Sequence, residues 1–63
     1  MTSAAELSSI LTGLEEITKR VTTIADSYAA ERREDLAGDL YAVERQLVNA
    51  ARRLGKAAAA AGS

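Results

Sequence analysis

Large apolar residues fall in two stripes at helical spacing, and the second stripe is the first read backwards. Leu7, Ile10, Leu14, Ile17, Val21, Ile24 and Tyr28 alternate steps of three and four, the spacing that keeps side chains on one side of an α-helix. The stripe stops over residues 29–35, where Glu31, Arg32, Arg33, Glu34 and Asp35 offer nothing large to bury. It resumes in a new phase as Leu36, Leu40, Val43, Leu47, Ala50, Leu54 and Ala57. Reflection about Arg32 sets Tyr28 against Leu36, Ile24 against Leu40, Val21 against Val43 and Ile17 against Leu47. It continues through Leu14 with Ala50, Ile10 with Leu54 and Leu7 with Ala57. None of these positions is polar. Antiparallel neighbours need such a pattern, and a parallel in-register coiled coil gives no reason for it.

Two structures satisfy the mirror. In the first, one domain over residues 1–63 folds as a helical hairpin. Helix 1 covers about 4–30, the turn about 31–35 and helix 2 about 36–60, followed by a frayed Ala-rich tail. Ser3 and Glu6 form an S-x-x-E capping box before helix 1. Asp35 or Asp39 caps helix 2, and Gly55 can end it. In the second, one straight helix pairs antiparallel with another copy, as the lack of Gly or Pro between Ser27 and Ala37 allows. The hairpin is preferred, because so long a single helix is unusual and its stripe would break at the middle.

The fold expected is therefore all-α, an antiparallel helical hairpin that dimerises into a four-helix bundle. Leu11 and Ala25 widen the first stripe, and Leu11, Tyr41 and Val48 remain outside a single hairpin's core. The oligomer core comprises Leu7, Ile10, Leu14, Ile17, Val21, Ile24 and Tyr28 with Leu36, Leu40, Val43, Leu47, Ala50 and Leu54. Ala50 against Leu14 sets a small residue opposite a large one, which helps fix the register where no buried polar residue does. Size points the same way. A chain of 63 residues buries only about 60% of its unfolded surface, so self-association as a homodimer or tetramer is expected, with another protein as a further partner.

Composition removes most catalytic options. The chain has no His, Cys, Trp, Phe or Pro, so thiolate chemistry, the usual general base and the commonest zinc ligands are missing. No cofactor and no metal are expected, and an enzyme is not. Glu15 and Glu16 are adjacent and diverge by about 100° on a helix, which prevents paired acid–base work. Tyr28 and Tyr41 read as core-edge aromatics with wet hydroxyls. Gly13, Gly38 and Gly55 are isolated and form no phosphate loop.

Charge is balanced at −1 overall but divided along the chain. Arg45, Arg52, Arg53 and Lys56 follow one another with no acid between them, whereas the first 31 residues carry five acids and two bases. This basic run is a candidate anion-binding surface; in an antiparallel pairing it would instead lie beside the acidic half and attract it. The N-terminus has no signal-peptide pattern, and the longest apolar run is Ala57 to Ala61, too short for a membrane span. A cytoplasmic protein is expected, with no membrane partner; six Arg against two Lys and fourteen Ala suggest a bacterial source. In length and plan, with no functional residue matched, the reading resembles the Rop type of short hairpin that dimerises into a four-helix bundle and binds RNA. The function expected is a non-enzymatic interaction or assembly module. The alternative is a small nucleic-acid-binding regulator that uses the basic C-terminal half.

Overall fold

Without proline, and with alanine, leucine, glutamate and arginine in abundance, both halves run as long helices. In the computed structural model, which describes residues 3–62, α1 spans Ser3–Ala30 and α2 spans Glu34–Gly62. They lie antiparallel as a hairpin 48 Å long. The straight-helix alternative is not adopted. The Ser3 side chain, and with it the capping box, lies outside the described residues.

The chain reverses without glycine or proline. The Arg33 N–H donates to the Tyr28 carbonyl at 2.8 Å and the Arg32 N–H to the Ala29 carbonyl at 3.1 Å. These are the two bonds of a Schellman ending, with Arg32 where glycine usually stands. Arg32 accordingly has φ 64°, the left-handed region that a side chain enters at a cost of about 1 kcal/mol. The Arg33 carbonyl then accepts the Ala37 N–H at 2.9 Å and opens α2. Helix 2 thus begins at Glu34, before the expected start at 36, and neither Asp35 nor Asp39 is its cap. Glu34 and Asp35 occupy its first turn, where negative charge meets the positive end of the helix dipole.

The far end also differs from expectation. Gly55 does not end α2, which continues through the alanines to Gly62. A methyl group on Gly55 would lie 3.6 Å from Leu11 Cδ2, and one on Gly62 3.7 Å from the Ala4 Cβ. The Ala-rich tail therefore lies along the start of α1, and a methyl group at either glycine would make only ordinary van der Waals contact there. Leu11 with Gly55, Ala4 with Gly62 and Thr22 with Glu44 are each symmetric about Arg33. The pairing is thus displaced from the mirror centred on Arg32.

Burial shows which residues close the hairpin. Ala25 and Ala37 are the buried pair, at 0% and 3% exposure. Along the seam the half-buried positions run Ala4, Leu7, Leu11, Leu14, Thr18 and Val21 on α1, then Leu40, Glu44, Leu47, Ala51, Leu54 and Ala58 on α2, with Thr22, Tyr28, Leu36, Tyr41, Ala42 and Gly55 half-buried beside them. The seam again has three–four spacing, but one step round from the stripes of largest residues.

Relieving the left-handed strain should stabilise the fold. Arg32→Gly is expected to raise unfolding stability by up to about 0.5 kcal/mol, the left-handed cost of about 1 kcal/mol less the greater freedom of an unfolded glycine, about 0.5–1 kcal/mol. Gly38→Ala, which meets open space in a helix interior, should add about 1 kcal/mol. Denaturant titration of the two variants checks both, and a lower midpoint for Arg32→Gly would contradict the turn geometry.

Candidate interaction surface

Each helix carries two overlapping stripes that share a central row. On α1 the row Leu7, Leu14, Val21 and Tyr28 is flanked on one side by Ala4, Leu11, Thr18 and Ala25. On the other side stand Ile10, Ile17 and Ile24. On α2 the row Leu40, Leu47 and Leu54 is flanked by Ala37, Glu44, Ala51 and Ala58, and oppositely by Leu36, Val43, Ala50 and Ala57. The hairpin closes on the first flank of each helix. The opposite flanks, rotated the same way on two antiparallel helices, come to lie on one common face, here termed the front.

The front is apolar and largely open. Ile10, Ile17 and Ile24 are 57%, 49% and 51% exposed, and Val43 is 39% exposed. Ala50 and Ala57 are exposed as well, while Leu36 is half-buried. The positions singled out from sequence therefore divide. Leu7, Leu14, Val21, Tyr28, Leu36, Leu40, Leu47 and Leu54 are half-buried, whereas Ile10, Ile17, Ile24, Val43 and Ala50 face solvent in a single chain. Leu11 and Tyr41, expected outside a single hairpin's core, are instead half-buried, Leu11 against Gly55; only Val48 of that trio is exposed. Sequence reasoning missed Thr18, Ala37, Glu44, Ala51 and Ala58 as seam residues. Their spacing is visible, but all five are small or polar and read as helix formers or surface.

The opposite face is held by polar contacts. Thr22 Oγ1 donates to Glu44 Oε2 at 2.8 Å, and the Tyr41 hydroxyl donates to Asp26 Oδ1 at 2.5 Å. Thr18, which enters the seam, donates back to the Leu14 carbonyl at 2.7 Å, so its hydroxyl is satisfied within its own helix. Among the described residues no buried side-chain polar atom lacks a partner. The hairpin thus has one latched polar face, carrying only Val48 as an exposed large apolar residue, and one bare apolar face.

The hydrogen bond to Asp26 raises the Tyr41 hydroxyl above the usual tyrosine value, with desolvation and the Asp26 and Glu44 charges adding to it. In the turn, the Arg33 guanidinium and then the Leu36 N–H hold the Asp35 carboxyl below its usual value. The Arg33–Asp35 ion pair is 3.5 Å long.

Arg45, Arg52, Arg53 and Lys56 are all exposed. Arg52 Nη1 donates to Asn49 Oδ1 at 3.4 Å on its own helix. Among the described residues none of the four makes an ion pair with an acid of α1, so the expected attraction between acidic and basic halves is not a direct contact. Chemistry has little to work with. Among the described residues no three acids stand close enough to hold a metal ion. The concavity lined by Glu16, Lys19, Arg20, Thr23 and Ile24 is a shallow depression on α1 alone. Among the described residues no helix is long and apolar enough to cross a membrane.

No family model, no curated protein and no solved structure matches the chain.

The Tyr41 bond makes a pH prediction. Because the folded state holds this proton more tightly than the unfolded chain, the bond's stabilisation is complete below the ordinary tyrosine value. It is lost as pH rises through the raised one. Above about pH 10 the wild type should therefore lose stability more steeply than Tyr41→Phe. Thermal melts of both proteins between neutral and strongly alkaline pH would show it, and parallel curves would count against the bond.

Proposed function

We propose that the protein is a non-enzymatic interaction and assembly module whose docking surface is the front face. A single observation carries this: the three isoleucines of α1 stand outside the hairpin at about half exposure, while its closed seam buries only alanines completely. Soluble monomers rarely leave a continuous apolar strip of this length open. The reading favours a homo-oligomer, since a chain this small gains the missing burial by covering that strip. The proposed setting is the cytoplasm of a bacterial cell, on a composition rich in Ala and Arg.

Light scattering coupled to size exclusion tests this directly. A dimer or larger species is expected, and a folded monomer with a sharp thermal transition would overturn the reading. Placing a charge in the strip with Ile17→Asp should break the assembly and lower its stability by about 3 kcal/mol or more per interface. Val48→Asp, on the polar face, should leave the mass unchanged.

The free basic side chains favour a second reading, a nucleic-acid-binding regulator. Arg45, Arg52 and Lys56 are spaced by seven and four on the outer side of α2. If two such sets in a dimer contact about four to six phosphates, duplex DNA affinity should fall with a log–log salt slope of roughly −4 to −5. Exchange of Arg52 and Arg53 for Glu should then abolish binding without unfolding the chain. Absence of binding by the wild type at low salt would dismiss this reading.

A further inference from the structure

We propose that the occupant of the front face is a second copy in one defined arrangement. The two-fold axis runs along the hairpin's length, so both turns lie at the same end and α1 of each copy covers α2 of the other. This rests on the homo-oligomeric reading above and adds the geometry.

Three observations lead there. The first is area. The hairpin's Cα envelope of 48 × 14 Å gives a footprint of about 670 Å² per copy, so about 1,300 Å² for a pair, within the roughly 1,200–2,000 Å² of stable interfaces. The face is thus large enough for a copy of itself to cover it.

The second is volume. The intrachain register centred on Arg33 sets the height of each residue along the hairpin. With both turns at one end, Ile10 lies over Ala57 of the partner subunit, Ile17 over Ala50 of the partner subunit and Ile24 over Val43 of the partner subunit. Each match is good to about one residue rise, ~1.5 Å. Every isoleucine then meets a smaller residue, and the layers interdigitate at constant helix spacing. The end-over-end alternative lays α1 on α1 and α2 on α2. Isoleucine then meets isoleucine along one side, a crowded row, whereas reversal of α2 sets Leu36 and Val43 against the alanine end of the other copy, so the two rows differ in bulk.

The third is charge. Glu16 stands on the outer shoulder of the front on α1, one step beyond Gly13 and Arg20, and Arg53 borders it on α2; both are exposed, and neither has an ion-pair partner among the described residues. The same-end arrangement brings Glu16 of each copy alongside Arg53 of the other, twice by symmetry. Two rim pairs of this kind favour the arrangement and help select it.

Mixed disulfide trapping tests the geometry. Chains carrying Ile17→Cys are mixed with chains carrying Ala50→Cys, so that no intrachain bridge can form, and oxidised mildly. The expected product is the mixed cross-linked dimer, identified by mass. Ile17→Cys self-linked in preference to the mixed species, or no interchain link from a protein shown to be dimeric, overturns the arrangement while leaving self-assembly standing. A native monomer by light scattering overturns both. A charge experiment needs no cysteine. Glu16→Arg and Arg53→Glu singly should each weaken dimerisation about fivefold, and the double exchange should restore it. Failure of the double exchange to restore it counts against the pairing.

Discussion

The pairing of α1 and α2 along the flank that carries the smaller residues is the constraint on which everything else depends. Ala25 and Ala37 are buried near the turn, and Leu11 lies over Gly55 near the open end. Helices can pack this tightly only where side chains are short on at least one side of each layer. Having chosen the small flank, the hairpin has no way to bury the large one. The isoleucines are outside because the alanines are inside.

That choice also sorts polar chemistry. The Thr22–Glu44 and Tyr41–Asp26 bonds lie on the side away from the isoleucines, where they tie the helices together. Solvent-facing hydrogen bonds of this kind contribute too little to replace an apolar core, but they favour one register. The front carries no such tie between the helices and presents aliphatic surface. A partner surface of matching shape is the simplest way to remove it from water.

The turn shows how little local signal a helix break requires. Residues 31–33 include neither glycine nor proline, yet the chain reverses there because the two Schellman bonds satisfy carbonyls at the end of α1. The left-handed Arg32 opposes this modestly. Helix pairing along the whole length outweighs a strain of about 1 kcal/mol, and local propensity does not decide the matter.

From the sequence alone came the helical class, the antiparallel mirror and the presence of two matched halves, because periodicity and the lack of proline act locally. The central rows, Leu7–Leu14–Val21 and Leu40–Leu47–Leu54, were legible for the same reason. Which flank of each row would face inward was not. Both flanks repeat at heptad spacing, and hydrophobicity marked the isoleucines over the alanines. Only the tertiary structure decided between them, because the decision turns on how near two backbones can come. That distance depends on residues of both helices at once and is written in neither stripe by itself. The packing of the alanine tail on α1 follows from the same pairing. So does the exposure of Ile10, Ile17 and Ile24 that makes the front face a docking surface.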